Sequence, residues 1–109
     1  MAYNEALAGK ARSLLQGEAG FAEKKMFGGL CFLLHGNMAC GILNDDLIVR
    51  VGLPQYETAL RQPRAGKFDF TGRPMKGWVM VSGAGLDTEE SLADWLARGV
   101  AFARTLPPK

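Results

Sequence analysis

The chain has 109 residues, of which 48% are hydrophobic and 22% are charged, and its formal net charge is +2. This length suits one domain over residues 1–109, and the composition is that of a globular protein rather than of a disordered chain. The charge balance does not by itself indicate a nucleic-acid-binding protein, and no apolar run approaches the roughly 20 residues of a membrane span.

The first predicted element is a helix over residues 4–16. Its apolar residues recur at helical spacing and form one stripe; they are Leu7, Ala11, Leu14 and Leu15. Asn4 is a suitable N-cap, and Gly17 is a suitable stop.

Four short apolar runs follow, at residues 24–27, 30–34, 38–43 and 47–51, and turn residues separate them. This alternation predicts an antiparallel meander of four strands. A two-residue turn at His35-Gly36 would place Cys31 directly opposite Cys40 on the neighbouring strand.

The pattern in the second half of the sequence predicts a helix over residues 53–62, strands at 67–70 and 78–82, and a last helix. Asp87 and Glu90 form a capping-box pattern at the start of that helix, and Pro107 ends it. The order is αββββαββα. Because the strands are grouped rather than alternating with helices, we expect a two-layer α+β fold with a mainly antiparallel sheet of five to six strands and three helices.

No residue set predicts a catalytic, metal or cofactor site. His35, the sole histidine, lies about 13 Å along an extended strand from Cys31, too far for a hydrogen bond. The two cysteines are expected to be packed thiols, with a cross-strand redox pair as the alternative. The N-terminus has no export signal, so we expect a cytoplasmic protein with reduced thiols.

Charge is segregated in the second half of the chain. Five cations lie within residues 61–76, and four anions lie within residues 87–94. These segments are either two solvated surfaces or a docking surface for phosphate or an acidic partner. Three aromatic residues lie near these cations in the sequence. We expect them in the core rather than stacked on nucleic-acid bases; they are Phe68, Phe70 and Trp78.

Four segments carry a resemblance to a known family. They are KKMFGGLCF at residues 24–32, LIVRVG at 47–52, FDFTGRPMKGW at 68–78 and AFARTLPPK at 101–109. Together they resemble the N-terminal domain of TfoX (also called Sxy), a bacterial regulator of natural competence. The resemblance implies a twisted antiparallel sheet with flanking helices, similar to secretion-chaperone-like folds. The regulators that it resembles are transcriptional co-activators that act with the cyclic-AMP receptor protein and carry a second, C-terminal domain, which we expect this chain to lack.

We therefore expect a stand-alone, non-enzymatic regulatory or protein-interaction module that ends at Lys109. The loop cations Arg73 and Lys76, together with Arg50, are the expected partner contacts. At the matching positions, Phe27, Phe32, Phe70 and Trp78 are expected in the core.

Two alternatives stay open. One is direct nucleic-acid binding. The other is a small-molecule binder or an unrecognised enzyme, in which Cys31 and Cys40 are the reactive groups. A homodimer through a sheet face or an uncovered edge is also compatible with the sequence.

Overall fold

The computed structural model describes residues 3–26, 28–69, 75–86 and 88–108. In chain order the elements are α1 (Glu5–Leu15), β1 (Phe21–Met26), β2 (Gly29–Leu34), β3 (Asn37–Leu43), β4 (Asp46–Arg50), α2 (Leu53–Leu60), β5 (Ala65–Lys67), β6 (Trp78–Val81), a short 3₁₀ helix (Gly83–Leu86) and α3 (Glu89–Ala103). The predicted α+β class and the order αββββαββα are confirmed.

The strands form one open antiparallel sheet of six strands in the order β1-β2-β3-β4-β6-β5. The first four strands follow one another as a meander, and α2 then carries the chain past β4. Strand β6 returns between β4 and β5, so it pairs with both.

Side-chain caps fix where two of the helices begin. The Asn4 side chain accepts a hydrogen bond of 3.0 Å from Leu7 N, as predicted for the start of α1. Helix α3 instead has Thr88 as its N-cap, and the Thr88 hydroxyl accepts from Ser91 N at 3.1 Å. The predicted capping box at Asp87 is therefore wrong by one residue, and Asp87 itself lies outside the described residues.

Strand β5 differs from its prediction. It covers Ala65–Lys67, where Ala65 pairs with Val81 and Gly66 pairs with Met80, rather than residues 67–70. Phe68 follows the strand and is 3% exposed. It is therefore hydrophobic because it is buried in the core, and not because it belongs to a strand. Phe70 lies outside the described residues.

The hairpin between β2 and β3 has the predicted two-residue turn. Leu34 pairs with Asn37, and the turn residues His35 and Gly36 have φ of 52° and 84°. Two successive positive φ values are those of the type I′ turn, whose twist suits a tight hairpin.

Further along the same hairpin the register shifts by one residue. Phe32 pairs with Cys40, and Cys31 pairs with Gly41. Ala39 and Cys40 are adjacent yet both belong to the larger core, as expected where a β-bulge inserts one residue into a strand. The prediction that Cys31 lies opposite Cys40 is therefore wrong.

The two faces of the sheet carry separate cores. All three helices contribute buried residues to the larger core, which includes the predicted core residue Phe32 at 1% exposure. The opposite face carries a smaller cluster of buried residues: Cys31, Met38, Ile48 and Phe68. Trp78 packs partly buried against this smaller cluster, and Phe27 lies outside the described residues.

Helix α3 packs closely on the sheet at Gly99. A Cβ atom at Gly99 would lie 2.5 Å from the Ala39 carbonyl oxygen and 3.0 Å from Cys40 Sγ. The bulge presents both of these residues to the helix, so the absence of a side chain at Gly99 fixes how near α3 can come.

We predict opposite effects for two glycine-to-alanine substitutions in helices. Gly99→Ala should lower the free energy of unfolding by about 1–2 kcal/mol, because the overlap with backbone outweighs the gain in helix propensity. Gly9→Ala in α1 meets nothing within 4 Å and should raise it by up to about 1 kcal/mol. Urea unfolding of both variants measures the difference, and equal effects would contradict the close packing.

Candidate functional site

Two of the three predicted contact residues lie at one end of the sheet, where β4 leads into α2 and β6 begins. Val51 N and Gly52 N both donate hydrogen bonds to the Gly77 carbonyl oxygen, at 2.9 and 3.0 Å. These bonds tie the segment after Arg50 to the segment after Lys76. Arg73, the third predicted contact, lies outside the described residues.

Two glycines let the segments meet. Gly52 and Gly77 have φ of 84° and 90°, in the region that favours glycine. A Cβ at Gly52 would collide with the ring of Phe102. Because Gly52 has no side chain, the Phe102 ring on α3 lies directly against the backbone between β4 and α2.

Arg50 lies between two aromatic rings at this place. Its Cζ atom is 5.2 Å from the centroid of Trp78 and 5.2 Å from the centroid of Phe102. Among the described residues its guanidinium has no hydrogen bond or ion pair, so cation–π contact is what holds it. We call Arg50, Gly52, Gly77, Trp78 and Phe102 the aromatic corner.

The cations around the corner differ in exposure. Arg50 is half-buried by the two rings, whereas Lys76 is exposed. The other described cations of the basic segment are also exposed and lie on or after α2; they are Arg61, Arg64 and Lys67.

The face of the sheet beside the corner is apolar. Trp78 shares it with partly buried side chains that pack on the smaller core cluster: Leu33, Leu43, Met75 and Met80. Cationic, aromatic and methionine side chains therefore lie together on the face that no described helix covers.

A surface cavity of about 370 Å³, open to solvent, lies on the other side of Phe102, between the start of α2 and the last turns of α3. Its lining, as far as the chain is described, is mostly apolar and has Arg98 as its one charged residue. The lining residues are Val51, Pro54, Gln55, Arg98, Ala101, Phe102 and Thr105.

The two cysteines are buried and belong to neither the aromatic corner nor the lining of the cavity. Cys31 belongs to the smaller core and Cys40 to the larger one, so their side chains lie on opposite faces of the sheet. Burial raises the pKa of the Cys40 thiol to about 12 and also raises the pKa of Cys31. Both thiols are therefore protonated at neutral pH, and protonated thiols are poor nucleophiles.

His35 lies in the exposed turn between β2 and β3, whereas both cysteines are buried. Within the described ranges no three His, Cys, Asp or Glu side chains are placed to hold a metal ion. None of the helices in those ranges has the length and apolar character that crossing a bilayer requires.

The sequence resemblance pointed to segments that the fold brings together. Segment 47–52 supplies Arg50 and Gly52, segment 68–78 supplies Gly77 and Trp78, and segment 101–109 supplies Phe102. What sequence reasoning missed is Arg98 and the cavity, because a single arginine on a helix gives no local signal.

A comparison with protein families gives a match to the model of the TfoX N-terminal domain over residues 13–103. The matched span includes every residue of the aromatic corner. No curated protein and no solved structure matches the chain.

We predict that neither thiol reacts in the folded protein. A thiol-labelling reagent should modify Cys31 and Cys40 at least about a hundredfold more slowly in buffer than in urea, because buried thiols react only after local opening. Mass spectrometry after mild oxidation should show no intramolecular disulfide. Rapid labelling of the folded chain would contradict the burial of the thiols, and a Cys31–Cys40 disulfide would contradict their placement on opposite faces of the sheet.

Proposed function

The chain belongs to the TfoX N-terminal domain family, and we propose that it is a non-enzymatic regulatory module that binds a protein of the transcription machinery. The proposal assigns the binding surface to the aromatic corner and to the apolar sheet face beside it. It assigns no reaction to the chain.

The placement of Arg50 is the observation that carries this proposal. Arginine, tryptophan and methionine are enriched at the centres of protein interfaces, and tryptophan and arginine dominate their binding energy. Arg50 is already ordered between Trp78 and Phe102, at 5.2 Å from each ring. A partner therefore meets a side chain whose conformational entropy is largely lost before binding.

Charge indicates what the partner presents. Arg50 has no acid beside it among the described residues, and Lys76 next to it is exposed. A partner with a carboxylate at its centre and an apolar rim would complement this surface, since opposite charges steer association and fix register.

We predict that charge reversal at Lys76, beside the aromatic corner, weakens binding of the partner. Lys76→Glu should lower the amount of protein captured by the tagged chain about tenfold, which corresponds to the loss of one charge pair across an interface. Lys10→Glu makes the same charge change on the exposed surface of α1 and should leave capture unchanged. Quantitative mass spectrometry of the captured proteins measures both effects.

Two further variants sharpen the experiment. Arg50→Lys keeps the positive charge but loses the planar group that stacks on the rings, and we expect it to weaken capture as Lys76→Glu does. Equal capture by the native chain, Lys76→Glu and Arg50→Lys would refute the proposal.

Direct nucleic-acid binding is the alternative, and the exposed cations Arg61, Arg64 and Lys67 favour it. It would appear as binding to DNA that falls steeply with salt, because phosphate contacts release counterions. In that case Arg61→Glu would weaken binding as much as Lys76→Glu does, which the protein-partner proposal does not predict.

A further inference from the structure

We propose that the cavity between α2 and α3 binds a small carboxylic acid, with Arg98 receiving the carboxylate and the apolar wall receiving the hydrocarbon chain. The cavity measures about 370 Å³, which is within the range of small-molecule sites. This site is separate from the surface of the aromatic corner, although Phe102 contributes to both.

Arg98 is held in place before any ligand arrives. Its Cζ atom lies 4.9 Å from the centroid of the Trp95 ring, and Trp95 is 5% exposed. Its Nε atom is buried without a hydrogen-bond acceptor, and the nearest carboxylate oxygen, Asp94 Oδ2, is 3.6 Å away. Packing therefore fixes the stem and the inner edge of the guanidinium.

The outer edge of the guanidinium is available. The Arg98 side chain keeps 28% of its surface exposed, and its terminal nitrogens donate to no acceptor among the described residues. A planar guanidinium with two free N–H groups on one edge binds a carboxylate through two parallel hydrogen bonds.

Charge in the cavity favours an anion. Among the described residues, Arg98 is the only charged one in the lining. The Asp94 side chain, which pairs with it from outside the lining, is 69% exposed, so solvent weakens that pair. Pro54 and Gln55 of the first turn of α2 lie in the lining, and the positive dipole end of this helix adds to the attraction.

The remaining walls favour a hydrocarbon chain over a bare ion. Val51, Pro54, Ala101 and Phe102 supply apolar surface. Thr105 Oγ1 already donates to the Phe102 carbonyl oxygen at 2.6 Å, so its proton is not free for a ligand. Each methylene that enters this wall should tighten binding about fourfold.

The test is a titration of the native chain with butanoate, hexanoate and octanoate. Calorimetry measures the affinity, and the amide NMR spectrum shows where each ligand binds. We expect affinity to rise with chain length, and we expect 1-octanol to bind about tenfold more weakly than octanoate because it lacks the charge. The perturbed amides should lie at the start of α2 and the end of α3.

Three variants test the assigned roles. Arg98→Gln should lower the affinity for octanoate about tenfold. Ala101→Leu, at an exposed position of α3, should also lower it by filling the cavity. Asp94→Asn removes the competing carboxylate and should raise the affinity about two- to threefold.

Arg104→Gln is the matched control. Arg104 lies on the same end of α3 but outside the lining, where it pairs with Glu18 at 2.6 Å, so the affinity for octanoate should not change. Lys76→Glu should leave it unchanged as well, which separates this proposal from the partner-binding one.

Four results would overturn the proposal. They are no saturable binding of octanoate at millimolar concentration, equal binding of octanol and octanoate, binding of inorganic phosphate as tight as that of octanoate, and unchanged affinity in both Arg98→Gln and Ala101→Leu. If Arg98→Gln fails to fold, Ala101→Leu and Asp94→Asn still decide the question.

Discussion

The contact between the Gly52 backbone and the Phe102 ring is the constraint on which the candidate site depends. A side chain at Gly52 would occupy the space of that ring, and the φ of 84° disfavours any other residue there. Because the ring lies against the backbone, α3 ends beside the turn from β4 into α2. Arg50 is then within reach of Phe102 on one side and of Trp78, its neighbour across the sheet, on the other.

The same contact separates two surfaces with different chemistry. On the sheet side, Arg50 and Trp78 adjoin an apolar face that no described helix covers. On the helix side, Phe102 forms one wall of a cavity whose charge comes from Arg98. We propose the first surface for a protein partner, since it carries an ordered arginine beside partly buried apolar side chains. A small anion with an apolar body fits the second, since it is concave.

Sequence patterns predicted the elements whose signals are local. Asn4 caps α1, the turn at His35-Gly36 has the predicted length, and the order αββββαββα is correct. Features set by tertiary contact were not predictable. Because of the bulge beside Ala39, the two cysteines do not pair as expected. The register shift moves their side chains to opposite faces of the sheet. The site was only partly predicted: Arg50 and Lys76 were named for their charge, whereas the role of Phe102 depends on residues that are distant in sequence.

A double-mutant cycle on Arg50 and Phe102 tests most directly whether the aromatic corner is held by contact between the cation and the ring. Arg50→Met removes the charge, Phe102→Leu removes the ring, and the free energies of unfolding of both single variants and the double variant are measured in urea. We expect a coupling energy of about 1 kcal/mol that favours the native pair. Effects of the two substitutions that add within about 0.3 kcal/mol would contradict it, because independent sites behave in that way.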